Sequence, residues 1–288
     1  MNLLKSKVLI VAHDAGSANL MVHNLANYAD ESDCLLSGPA IKIFQGSEKK
    51  WQLVDAVELD RYEKIYVGTG WENKNYLNIL KRCRNRDIKS YAYLDHWTNY
   101  TERFRFGSDL MMPKYIITTD TLSEKLARRK FPDTKILLEE NKYLVSTIKN
   151  IHKIQRTTVP REVLFLGENT QEMYDKKLTK EQYTFKRLME SEFNLERDLI
   201  RLRKHPSESV DKYLDVISHL PSANNLIISE AETLESDIAQ SCLIYGITSM
   251  ALHIAKAAEK EVKLVKIAKC GDIVVRNLTR SKFNLNVL

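Results

Sequence analysis

One feature constrains this chain more than any other. Short apolar runs alternate with longer stretches of helical period, and the apolar runs end on polar residues. Val8 to Ala12 is the first example, apolar at every position and followed by His13 and Asp14. A strand with no polar face has to be buried on both sides, which is the habit of parallel sheets covered by helices. Residues 16–30 then read as a helix, with Leu20, Met21 and Leu25 on one stripe. The spacing predicts further strands at 62–71, 89–96, 113–120 and 134–140, with helices at 72–88 and 121–131. Residues 33–45 read as one or two short strands around Gly38 and Pro39. Strand, helix, strand, helix in this order predicts βαβ units and a doubly wound sheet.

The alternation stops at residues 146–160, which show no strand pattern, and restarts at Arg161. Strands are expected at 161–169, 198–206, 225–229, 242–249 and 261–267, and helices at 179–194, 209–220, 233–241 and 250–260. The chain of 288 residues is comfortable for two domains of ordinary size. The expected fold class is therefore α/β, with two Rossmann-like domains, 1–150 and 160–288, facing across a cleft. Open α/β sheets bind ligands outside the carboxyl ends of their strands.

Composition narrows the function classes. The net charge is +6, but Lys and Arg are mixed with acids along the whole chain. Nucleic-acid binders usually gather such charge in one stripe, so no nucleic-acid partner is expected. A mild excess suits an anionic ligand. The basic residues at 81–86 and 125–130 are candidates for peripheral contact with a membrane surface, although such runs are ordinarily solvated helix faces. No apolar run approaches the ~20 residues that span a bilayer. The first twenty residues are not expected to be a signal peptide, because their apolar run is short and meets His13 and Asp14. Cys34, Cys83, Cys242 and Cys270 are scattered, with no C-x-x-C spacing. Reduced thiols in a cytoplasm are expected, without a disulfide framework or a zinc site.

The strand ends carry the chemistry. In the first half they are His13-Asp14-Ala15-Gly16-Ser17, Gly68-Thr69-Gly70-Trp71, Asp95-His96-Trp97 and Thr119-Asp120. In the second half they are Gly167-Glu168-Asn169, Lys204-His205-Pro206-Ser207-Glu208 and Gly246-Ile247-Thr248-Ser249. Asp14 and Ser17 can cap a helix, or Gly16 can let an anion approach the helix N-terminus. There is neither a G-x-G-x-x-G motif nor a P-loop. Asp95 and His96 supply a carboxylate and an imidazole as general-base candidates, and Trp97 a ring for a sugar or base. Buried in a core, the same His and Trp would need only satisfied nitrogens. Pro206 stops a strand and aims His205, with Arg201, Arg203 and Lys204 beside it. That set suits a phosphate, or is a turn histidine on a basic surface. Thr248 and Ser249 open a helix, as a phosphate cradle or as a cap.

Taken together, these groups resemble GT-B type glycosyltransferases of bacterial surface polysaccharide synthesis, with the likeness strongest to the compact sialyltransferase-like enzymes. That family's His-Pro motif looks like His205-Pro206 here, and its Ser/Thr-Ser motif like Thr248-Ser249. The resemblance covers the two-domain plan and the motifs of the second domain. It implies a nucleotide-sugar donor held by the second domain through Arg203, His205, Pro206, Glu208, Thr248 and Ser249, with Gly16 and Ser17 as further phosphate contacts. It implies a glycan or lipid-linked glycan acceptor on the first domain, with Gly70, Trp71, Trp97 and Arg103 around it. It implies a base from Asp14 or Asp95, with His13 or His96 as a candidate partner. Arg103 is the expected anion partner in its loop unless a carboxylate neutralises it. No D-x-D motif is present, so no metal or cofactor is expected and the cations would stabilise the leaving phosphate. The implied location is cytoplasmic, at the inner face of the membrane where the acceptor is lipid-linked. Three other readings stay open: a nucleotide-sugar epimerase or hydrolase, a transferase using a phosphoribosyl-diphosphate-type donor, and a non-catalytic nucleotide- or glycan-binding protein.

Overall fold

The computed structural model describes residues 8–70, 74–156, 162–170, 172–194, 198–205, 208–220, 225–268 and 271–282. Trp71 and Pro206, both expected at the site, lie outside the described residues. The chain divides into two units, Met1–Val145 and Ser146–Leu288.

The first unit is built on β1 (Val8–Ala12), β2 (Ser32–Leu36), β3 (Gln52–Leu53), β4 (Lys64–Gly68) and β5 (Lys89–Tyr93), with a two-stranded ribbon of β6 (Arg105–Phe106) and β7 (Asp109–Leu110), then β8 (Tyr115–Thr118) and β9 (Lys135–Leu138). The main sheet is parallel throughout, in the order β3-β2-β1-β4-β5-β8-β9. Its helices are α1 (Ala15–Asn24), α2 (Pro39–Gln45), α3 (Asn75–Arg84), α4 (Tyr100–Arg103), α5 (Thr121–Lys130) and α6 (Lys142–Lys153), the last running across the division. The two faces of β1 explain the apolar run. Val8, Ile10 and Ala12 pack with Leu20 and Met21 of α1 and with Ala40 and Phe44 of α2. Leu9 and Val11 pack on the other face with Tyr76, Leu77 and Leu80 of α3. Side chains that alternate across a strand thus bury both sets.

Several segments differ from expectation. Residues 39–45 form α2 and not a strand. Gly38 takes φ +52°, a region open to glycine, and Pro39 stands in the first turn, where its fixed φ suits a helix. Residues 142–153 form α6, which runs into the stretch 146–160 that shows no strand pattern. Leu144, Ile148 and Ile151 are each 2% exposed, and their spacing of four and three is a helical stripe.

The second unit contains β10 (Glu162–Leu166), β11 (Leu199–Arg203), β12 (Leu226–Ile228), β13 (Leu243–Gly246), β14 (Glu261–Ile267) and β15 (Ile273–Asn277). Their order is β12-β11-β10-β13-β14-β15, all parallel except the last pair. The helices are α7 (Lys180–Glu192), α8 (Leu214–Ser218), α9 (Leu234–Gln240) and α10 (Met250–Ala257). A capping box of Thr179 and Gln182 starts α7, and Phe185, Leu188 and Met189 bury its inner face against Val163, Phe165 and Leu202. Each main sheet reverses its winding beside its first strand, between β1 and β4 and between β10 and β13. These switch points are where doubly wound sheets open a crevice.

Candidate functional site

In the second unit the switch point brings the loop after β10 to the loop after β13. Glu168 leaves β10, and Thr248 and Ser249 open α10. The Glu168 carboxylate accepts hydrogen bonds from the backbone N–H groups of Thr248 and Ser249, and from the Thr248 hydroxyl at 2.9 Å. The Ser249 hydroxyl caps α10 by accepting from Ala251 N at 3.2 Å. These N–H groups carry the positive end of the helix dipole, and here they hold an anion.

A buried network fixes the loop after β10 from below. Glu181 of α7 is fully buried. It accepts from the Glu168 backbone N–H, from Tyr213 Oη at 2.5 Å and from Lys212 Nζ. Burial pushes the Glu181 carboxyl up and the Tyr213 phenol up, against the pull of Lys212 on the carboxyl. Lys212 also donates to Glu208 Oε1 and, at 3.0 Å, to the Glu168 carbonyl. Glu208 Oε2 accepts from the His205 backbone N–H at 3.0 Å. One lysine therefore joins the loop after β10, the loop carrying His205 and the start of α7. The His205 ring itself is exposed.

In the first unit, β1 ends at His13 and Asp14, and β4 leads into Thr69 and Gly70. Asp14 stands at the N-cap position of α1, yet its side chain makes no capping hydrogen bond. Its carboxylate lies against Gly70, and His13 Nε2 is 3.9 Å from Asp14 Oδ1. His13 Nδ1 is 2.9 Å from Ser37 Oγ. Ser17 is buried and donates to the Asp14 carbonyl at 3.2 Å. A Cβ on Gly16 would clash with the Asp95 carboxylate, so a side chain there would close the gap between α1 and the end of β5.

No protein-family model matches the chain, and no curated protein matches it in sequence. Solved structures do match. The UDP-GlcNAc 2-epimerase of Neisseria meningitidis, bound to UDP-GlcNAc, aligns at a TM-score of 0.66 over 91% of this chain and 83% of that one, at 11% identity. The UDP-GlcNAc 2-epimerase of Methanocaldococcus jannaschii aligns at 0.58 over 89% and 82%, at 12% identity. The H444N variant of the wall teichoic acid polymerase TagF aligns at 0.50 over 90% and 70%, also at 12% identity. The chain has the GT-B-type fold of two Rossmann-like domains. At these identities the likeness is one of fold.

Within this GT-B fold the remaining expected residues divide by what neutralises them. Arg103 Nη1 meets Asp95 Oδ1 at 2.6 Å, the two side chains 8% and 14% exposed. It also donates to Thr69 O, Thr69 Oγ1 and, through Nε, to Thr98 O. Asp95, expected as a base, is thus the counter-charge of Arg103, expected as an anion partner. Trp97 directs Nε1 at both oxygens of Asp120, 3.1 Å each, and Asp120 caps α5 through Ser123 N at 2.8 Å. The His96 ring meets Thr98 Oγ1 at 2.8 Å. In the second unit Arg203, expected at the donor phosphate, gives Nη1 to Asp237 Oδ2 at 2.6 Å and to the carbonyls of Ala231 and Thr233. Glu208 is committed to Lys212 and the His205 backbone.

Glu181, Lys212, Asp237 and Tyr76 stand outside the strand-end groups that the sequence singles out. Glu168 belongs to the strand-end group Gly167-Glu168-Asn169, to which the sequence gives no particular role. Lys212 and Asp237 sit in ordinary polar stretches and carry no such signal.

Proposed function

We propose that the chain is a glycosyltransferase of bacterial surface polysaccharide synthesis. The second unit takes a nucleotide-activated sugar and the first takes a glycan or lipid-linked acceptor. The observation that carries this reading is the anion-holding start of α10, at the switch point of a GT-B fold. A donor phosphate fits the place where Glu168 now sits. In the transfer, the acceptor oxygen bonds to the anomeric carbon while the bond from that carbon to the phosphate oxygen breaks. The acceptor proton passes to a carboxylate, and the charge left on the phosphate is met by the N–H groups of Thr248 and Ser249, the Thr248 hydroxyl and His205. Asp14 is the base in this reading, because Asp95 is spent on Arg103. No step is assigned to a metal or cofactor. The site of action is proposed as the cytoplasm, at the inner face of the membrane where the acceptor is lipid-linked. No helix among the described residues is long and apolar enough to cross a membrane.

The fold neighbours named as UDP-GlcNAc 2-epimerases support a second reading, in which the donor alone is turned over. A free sugar or an epimer formed without acceptor would favour it.

Titration calorimetry with nucleoside mono- and diphosphates and their sugar conjugates tests the donor site. Thr248→Ala should weaken nucleotide binding about tenfold, the worth of one charge-assisted hydrogen bond. Glu168→Gln should strengthen it about tenfold or more, because the resident carboxylate no longer competes for the same N–H groups. Wild-type protein that binds no nucleotide at millimolar concentration would refute the reading.

A further inference from the structure

The first unit holds a cavity of about 250 Å³ at the carboxyl ends of β1, β2 and β4, on the face that α3 covers. Its apolar walls are Val11, Leu35, Leu36 and Ile79, together with the ring of Tyr76. The Tyr76 hydroxyl is committed elsewhere, donating to Arg103 O at 2.5 Å and Gly70 O at 3.3 Å. The polar side chains of the lining, His13, Ser37 and Asn75, follow the strand ends and open α3. His13 is joined to Ser37 through Nδ1 and has Asp14 beside Nε2. The cavity is therefore amphipathic, with aliphatic walls below and a polar rim next to the carboxylate read as the base.

Size and chemistry limit the occupant. A cavity of about 150 Å³ holds a benzene ring, so this one takes roughly ten non-hydrogen atoms. That is part of one sugar unit and not a disaccharide. A hexose hydroxylated all round would press hydroxyls against Val11, Leu35 and Ile79, where they find no partner. A sugar bearing a methyl group can lay that group on the aliphatic walls and keep its hydroxyls at the rim.

We infer that this cavity receives a methyl-bearing sugar unit, 6-deoxy or N-acetylated, and selects the acceptor by that group. The inference rests on the transferase reading only for naming the occupant as acceptor. The shared chemistry is a small apolar group on a hydroxylated ring, and the two sources are separated by the probes.

The test is saturation-transfer NMR titration of the full chain with three probes: a 6-deoxyhexose, an N-acetylhexosamine and a fully hydroxylated hexose. At least one methyl-bearing probe should bind ~10-fold tighter than the hydroxylated one, the discrimination a single methyl earns in an apolar pocket. Leu36→Phe and Ile79→Phe, which fill the cavity, should each remove that preference while nucleotide affinity by calorimetry stays as in wild type. Leu36 is half-buried, so its variant remains informative if Ile79→Phe does not fold. Equal affinity for all three probes, no binding of any of them, or full preference in both Phe variants overturns the inference. Competition by free nucleosides at the same place also overturns it. A chain that binds no nucleotide refutes the donor reading instead and leaves the sugar comparison standing.

Discussion

Asp14 and Asp95 are the same residue type at the ends of β1 and β5, the two strands that flank β4, and their surroundings separate them. Asp95 faces a guanidinium that is itself nearly buried, and this charge pair holds the loop after β5 to Thr69. Asp14 performs no capping for α1 and stands about a quarter exposed beside His13. The consequences of substitution should separate in the same way. Asp95→Asn leaves Arg103 without its counter-charge and should cost about 3 kcal/mol of stability in a urea melt. Asp14→Asn should change stability by less than ~0.5 kcal/mol and lower turnover by ~10²–10⁴-fold. A stable Asp95→Asn protein without activity, beside an active Asp14→Asn protein, would return the role of base to Asp95.

At the scale of elements, β11 shows how a strand can mislead. Its sequence alternates, with Ile200 and Leu202 in the core and Arg201 and Arg203 on the opposite face. By itself that face is a pair of cations suited to phosphate. Other elements supply its anions. Glu162 of β10 takes Arg201 at 2.5 Å, and Asp237 of α9 takes Arg203 at 2.6 Å and lies 3.7 Å from Arg201. Ser229, after β12, donates to both oxygens of Asp237 at 2.7 and 2.6 Å. Asp237 is 1% exposed, so the cluster ties β10, β11, β12 and α9 together. Asp237→Ala leaves two arginines facing one carboxylate and should destabilise by about 3–5 kcal/mol, read from the midpoint of urea unfolding. Nucleotide affinity, measured where the variant is still folded, should stay within about threefold of wild type. A tenfold loss would mean that the cluster reaches the ligand.

Over the whole molecule, buried acids of high pKa link stability to alkaline pH. Burial pushes the Cys34 thiol up to about 12 and the Cys83 thiol to about 11, and the Tyr62, Tyr76 and Tyr100 phenols to about 12. Unfolded, thiols ionise near ~8.5 and phenols near ~10. Between those values and 11–12 the folded chain holds more protons, so stability is complete below the window and falls as pH rises through it. The urea midpoint should be level from pH 7 to 8 and decline steadily from pH 9 to 11. A level profile to pH 11 would show that these groups ionise in the native state without cost. Much of this architecture was legible in the residues alone. Continuous apolar runs such as Val8–Ala12 can only be buried parallel strands, and the helical stripes between them require crossovers, so period and burial determined the doubly wound plan. The strand ends pointed to the two switch points for the same reason, because chain order places them at one edge of each sheet. What the sequence could not decide was partnership. Whether Arg103, Arg203 and Asp95 face a ligand or each other depends on which distant residues the fold brings within 3 Å, and Asp237 lies thirty-four positions from the arginine it neutralises. Charge is a property of a residue; its availability depends on neighbours that only the tertiary structure assigns.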